Sequence, residues 1–183
     1  MTNTSRLAKR AAAVAAAVIA GSASAQEPSG TLTPEIGVTY LHGTTVERSA
    51  DDSGGSGSAG YDLALGWEHP SGLGVRAMFM FDINPGRGLF QQPSGVKAFD
   101  DFYGVQATGS LPLNAAIKLK GGVGIGRTKL DVSPNTSGTN VTDGLLSLGL
   151  QWRIAQHYAM ELRVDHLTKS QVTSTALQFQ FPF

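Results

Sequence analysis

The stretch GGVGIGRTK, Gly121 to Lys129, spaces Gly121, Gly126, Arg127 and Thr128 like a phosphate-binding loop. Such a loop works when a lysine and the N-terminus of a following helix receive the phosphate. Arg127 stands where the lysine belongs, and Leu130-Asp131-Val132-Ser133-Pro134 cannot continue a helix. Nucleotide binding is therefore not expected. His166 raises a second chemistry. With Thr168 and Ser170 just after it, it offers a base beside hydroxyl groups, the start of a nucleophilic triad. A triad also needs a carboxylate to orient the imidazole, and no acidic residue follows Asp165. His42, His69 and His157 do not stand at metal-ligand spacing, and Asp51-Asp52 and Asp100-Asp101 lack the spaced oxygens of a calcium loop. The absence of cysteine removes thiol catalysis and thiolate metal sites. No catalytic residue, metal site or cofactor is expected.

The elements that would have to position such residues begin with a leader. Residues 1–25 read as a secretory signal peptide: Arg6, Lys9 and Arg10 are the charged region, Ala11 to Ala20 the apolar core, and Ala23-Ser24-Ala25 the cleavage site. That core is too short to span a bilayer as a helix. Residues 26–183 then form one domain. The leader holds three of the 14 bases and none of the 14 acids, so the remainder carries 11 bases against 14 acids, a net −3. A weakly acidic domain without a basic run is not a nucleic-acid binder.

The rest of the chain alternates apolar and polar residues with period two, the signature of strands with two unlike faces. Eight such stretches are predicted: Leu32–His42, Gly60–His69, Gly72–Ile83, Lys97–Leu111, Ala115–Leu130, Gly144–Ile154, Tyr158–Leu167 and Gln171–Phe183. Long polar connections, Gly43–Ala59, Asn84–Val96 and Asp131–Asp143, alternate with tight turns at 69–72, 111–114 and 154–157. Long loops at one end and short turns at the other are the habit of transmembrane barrels. The fold class expected is all-β, an eight-stranded antiparallel up-and-down transmembrane β-barrel.

One face collects Glu35, Asp62, Glu68, Arg76, Asp82, Asp100, Lys118, Lys120, Arg153, Glu161, Arg163 and Asp165 among interspersed glycines. Mixed charges beside small residues suit a narrow lumen where opposite signs pair. They would equally suit the solvated outside of a soluble, lipocalin-like carrier. The other face is aliphatic in the middle. Trp67, Trp152, Tyr158 and Phe183 fall near one rim, and Tyr40, Tyr61, Phe81 and Phe99 near the other. Aromatic girdles around an aliphatic band favour lipid outside. Arg127 and Lys129, near the outer rim, are candidate lipopolysaccharide contacts because both pair with phosphate; a plain solvated rim is the other reading.

The ending LQFQFPF, with Leu177, Phe179, Phe181 and Phe183 alternating, resembles the C-terminal assembly signal of bacterial outer-membrane proteins. SLGLQWRIAQHYAMELRVDHL (Ser147 to Leu167) and DFYGVQATGSLPLNAAIKLKGGVGIG (Asp101 to Gly126) resemble hairpins of the small OmpA/OmpX-type, opacity-protein-like barrels. The resemblance covers the whole chain after the leader. Pro182 departs from it, since a proline removes a ladder donor. The resemblance implies an integral outer-membrane protein of Gram-negative bacteria, non-enzymatic, of structural, porin-like or adhesin type, with mobile extracellular loops. It implies contact with outer-membrane lipid and lipopolysaccharide, insertion by the assembly machinery with periplasmic chaperones, and a host or surface ligand met through the loops. Lipid A deacylase barrels are similar in carrying a histidine and a hydroxyl on their outer face, so a hydrolase centred on His166 is the alternative activity.

Overall fold

The computed structural model describes residues 30–43, 57–83, 97–132 and 136–183. The expected signal peptide and Asp51-Asp52 lie outside the described residues. Eight strands are described: β1 (Thr31–Gly43), β2 (Gly57–Glu68), β3 (Leu73–Asp82), β4 (Lys97–Pro112), β5 (Ile117–Val132), β6 (Thr136–Ala155), β7 (Tyr158–Leu167) and β8 (Val172–Gln180). Each pairs antiparallel with the next, and β8 pairs with β1, which closes the barrel.

Turn chemistry explains where the strands reverse at one end. In the β2–β3 turn, Gly72 takes φ +85°, a conformation glycine adopts without Cβ strain, and its N–H donates to the His69 carbonyl at 2.8 Å. In the β4–β5 turn, the Asn114 side-chain oxygen accepts from the N–H groups of Ala116 and Ile117 at 2.8 and 2.9 Å. Such self-capping is what asparagine contributes to turns.

Pro182 leaves closure intact. The N–H groups of Phe181 and Phe183 donate to Pro34 and Leu32 of β1 at 3.0 and 2.9 Å. Ladder partners alternate along a strand, so position 182 faces the other way, towards the β6–β7 turn, and no β1 bond needs its N–H.

The sheet extends further at the loop end than the sequence suggests. β6 begins at Thr136, and Leu130↔Thr139 and Val132↔Thr136 continue the β5–β6 ladder through the stretch read as a long loop. Thr136, Thr139, Val141 and Thr142 are β-branched, and such residues fit a pleated ladder.

Parity decides the faces. Val38, Val75, Val105, Val123 and Leu148 are 55–61% exposed although they sit mid-strand. Their neighbours one residue away, such as Thr39, Arg76, Gln106 and Gly149, are buried. The oily face is the outside. In water each large side chain left unburied forgoes about 1.5–3 kcal/mol; hydrocarbon removes that loss. The charged face is the inside.

Phe99 corrects the predicted outer girdle. The β4–β5 register shifts between Phe99 and Asp101, with Asp100 as the extra residue. A bulge of one residue reverses parity beyond it, so Phe99 turns inward and is 7% exposed. Asp100 leaves the lumen set for the same reason and pairs with Lys129, with about a third of its side chain exposed.

Candidate functional site: the barrel lumen

Three layers fill the lumen. At the loop end Leu41, Met78, Met80, Phe99, Phe102, Leu145, Leu167 and Val172 form an apolar cluster. The room for Phe102 comes from β4 and β5: a Cβ on Gly104 or Gly126 would strike its ring. Gly122 and Gly124 likewise leave space for Gln106. The GGVGIG run thus sits mid-strand, with its inward glycines serving as clearance and no helix following.

The middle layer is a charge network. Arg76 Nη2 lies 3.0 Å from Glu35 Oε1 and 2.7 Å from Glu161 Oε2, with all three side chains at most 3% exposed. Lys120 Nζ approaches Glu161 at 3.4 Å. Arg163 donates through Nε to both oxygens of Asp165 at 2.9 and 2.8 Å, through Nη1 to Gln178 at 2.5 Å, and through Nη2 to Asp62. Its Nη1 is also 3.8 Å from Glu35 Oε2, which links the two arginine centres. Ser147 Oγ lies 2.6 Å from Asp165 and 2.8 Å from Gln106. Gln180 donates to Glu161 at 2.5 Å and accepts from Gln151. Each buried charge of this layer therefore has an opposite charge beside it, the condition under which burial is tolerable, although Glu35 Oε2 and Asp62 Oδ1 accept no hydrogen bond.

The third layer is a vestibule of about 540 Å³ at the turn end, lined by Thr33, Thr108, Lys118, Gln151, Arg153 and His157 among others. Glu35, Arg76 and Lys120 form its floor. Lys118 and Glu68 pair across it at 2.7 Å, part-exposed.

The sequence-derived lumen set therefore divides. Glu35, Asp62, Arg76, Lys120, Glu161, Arg163 and Asp165 meet in the middle layer. Glu68 and Lys118 form a separate pair in the vestibule. Two more residues of the set lie outside the middle layer. Arg153 is exposed at the vestibule lip, where the β6–β7 register shifts between Arg153 and Ala155. Asp82 ends β3 at the loop end, above the apolar cluster and away from the network.

Asp143 is a buried structural carboxylate that the sequence pattern did not flag. It is fully buried and accepts at Oδ1 from the N–H groups of Lys169 and Ser170, at 2.6 and 2.9 Å. At Oδ2 it accepts from Thr128 at 2.5 Å. One carboxylate thereby ties the β7–β8 turn to β5 and β6. The available signal was an acid at the foot of a polar stretch, facing inward with Leu145.

On the outer face, His166 Nδ1 lies 3.1 Å from Thr173 Oγ1. Thr168 Oγ1 instead accepts from the Gly144 N–H at 3.2 Å, and Ser170 is buried. Asp165 points into the lumen and is held by Arg163. The hydroxyl, imidazole and carboxylate of a triad are not assembled. Arg127 is exposed on this outer face, while Lys129 is engaged by Asp100. Leu177, Phe179, Phe181 and Phe183 follow the outward parity down to the turn end, with Phe179 and Phe183 exposed.

Known proteins share this architecture. The attachment invasion locus protein Ail of Yersinia pestis, solved in complex with the heparin analogue sucrose octasulfate, is 17% identical with a TM-score of 0.55, over 85% of this chain and 99% of that one. The N-terminal β-barrel domain of Pseudomonas aeruginosa OprF is 8% identical with a TM-score of 0.59, over 86% and 100%. The outer membrane protein OprG of Pseudomonas aeruginosa is 11% identical with a TM-score of 0.54, over 85% and 97%. At these identities the likeness is one of fold. No curated protein matches the sequence. The outer membrane protein beta-barrel domain family matches residues 11–181, nearly the whole chain, and this protein belongs to that family.

Proposed function

We propose that the protein is a non-enzymatic, sealed scaffold of the bacterial outer membrane, working through its outer rim and extracellular connections. The observation that carries this reading is the double closure of the lumen. A charge network and an apolar cluster lie in series, and the vestibule ends on the network. Eight strands leave an interior just wide enough for side chains to fill. A filled interior supports a surface role over a porin-like one.

The remaining assignments follow from position. Arg127, exposed near the outer rim, meets lipopolysaccharide phosphate, with Lys129 shared between Asp100 and the headgroup. The alternating Leu177, Phe179, Phe181 and Phe183 are the segment read by the outer-membrane assembly machinery after periplasmic chaperones deliver the chain. A surface ligand binds at the loop end; the heparin analogue bound by Ail makes sulfated glycans a reasonable first probe. A signal peptide at residues 1–25 accounts for export. The dispersal of Asp165, His166 and Ser170 weighs against lipid hydrolysis, and the exposed apolar belt weighs against a soluble carrier.

Planar-bilayer recording of the refolded protein tests the sealed-scaffold reading. No sustained single-channel conductance is expected in neutral salt. Long-lived open channels would overturn it.

A further inference from the structure

The charges of the middle layer do not balance. Its acids are Glu35 on β1, Asp62 on β2, and Glu161 and Asp165 on β7; its bases are Arg76 on β3, Lys120 on β5 and Arg163 on β7. Four carboxylates thus share three cations. Strands β4, β6 and β8 bring only neutral amides and a serine hydroxyl to this layer. No further base is at hand. Lys118 pairs with Glu68 in the vestibule, Arg153 is exposed at its lip, and the apolar cluster closes the other side.

The excess has a place. Both oxygens of Glu161 and both of Asp165 accept hydrogen bonds, whereas Glu35 Oε2 and Asp62 Oδ1 are buried acceptors without a donor. These two side chains converge on the Arg163 guanidinium: Asp62 Oδ2 accepts from Nη2, and Glu35 Oε2 lies 3.8 Å from Nη1. Gln178 accepts from Nη1 at the same place, and its Nε2 is a buried donor without an acceptor. Between Asp62 and Gln178 the ladder sets Gly37, their common partner on β1, so no side chain separates them at that level.

We propose that Glu35 and Asp62 share one bound proton, which makes this corner of the lumen a proton site. A carboxylate without its own compensating charge is costly in a buried interior, and one proton cancels the excess. It also converts one orphaned acceptor into a donor. The acids then bond to each other directly or through a buried water, and Gln178 Nε2 serves the oxygen that stays ionised. The proton comes from water in the vestibule, because Glu35 lines its floor. Asp62 is the inner end of the path, since its ladder partner Met80 belongs to the apolar cluster. The charge count holds whether or not the lumen conducts.

Infrared spectroscopy of the folded full chain at neutral pH, in micelles of an ester-free detergent, tests this. The carbonyl stretch of a protonated carboxylic acid is expected, shifted in D2O. It should vanish in Glu35→Gln and in Asp62→Asn, either of which balances the layer, and persist in Glu68→Gln. Urea unfolding of the unaltered chain should release about one proton more than unfolding of either lumen variant, because carboxyl groups freed into water are ionised at neutral pH. Heat-dependent gel migration verifies that each variant is folded, and serine replacements stand in for any that is not. Absence of the band from the unaltered chain would overturn the proposal, leaving water alone to serve the orphaned oxygens. Survival of the band in either lumen variant would overturn it too, since the proton would then sit elsewhere.

Discussion

Arg163 stands where Asp62, Asp165 and Glu35 converge, and no other cation pairs with Asp62 or Asp165 among the described ion pairs. Removing it leaves carboxylates buried without compensation, which is far costlier than losing a surface pair. Arg163→Ala should destabilise the barrel by about 3–5 kcal/mol. Arg153→Ala removes the same charge from the exposed lip and should change stability by less than about 0.5 kcal/mol. Urea unfolding in lipid vesicles, followed by the fluorescence of Trp67 and Trp152, measures both. Equal costs would mean that the buried network is not what holds the interior. Position within the lumen, not formal charge, sets the difference. The sequence lists the two arginines side by side on one face, because parity along a strand says in or out but not how deep.

At the scale of the strand, period-two alternation made most of the fold legible. It placed all eight strands and assigned Ile36, Val38, Tyr61, Leu63, Leu148 and Leu162 to the outside. It failed wherever one residue was inserted. The bulge at Asp100 turned Phe99 inward, and no local signal marks that insertion, because Phe99-Asp100-Asp101-Phe102 alternates plausibly in either register. The start of β6 was missed for another reason: SGTNVTD has loop-like polarity, yet its threonines and valine pair with β5 above the apolar belt. Glycines in β5 mimic a phosphate loop in spacing only and act as spacers; their partners Phe102 and Gln106 come from a neighbouring strand, and a one-dimensional pattern does not contain that neighbour. Leu150, opposite Leu119 and Leu162 near the middle of the belt, tests the assignment of faces. Leu150→Arg should cost about 2–4 kcal/mol at the bilayer midplane, measured by the same unfolding assay. A negligible cost would place the belt elsewhere.

Over the whole molecule, the interior is graded along the barrel axis: oily under the loops, ionic at the centre, open at the turns. Outer-membrane barrels hold their short turns on the periplasmic side. The vestibule therefore belongs to the compartment from which the chain is inserted, and the apolar cluster faces the environment. On the sealed-scaffold reading, small polar solutes from the cell side should reach as far as Arg76 and Lys120, which line the vestibule, and go no further.

Because the chain contains no cysteine, a single introduced thiol becomes a reporter of sidedness without background. A membrane-impermeant maleimide should leave Thr108→Cys unlabelled on intact cells and modify it once the periplasm is opened, while Met78→Cys, in the greasy half, should stay silent in both. Labelling of Thr108→Cys from outside the cell would mean the cup is a tunnel. The blind end thus converts a static profile of side chains into a one-way accessibility map, readable residue by residue in living bacteria.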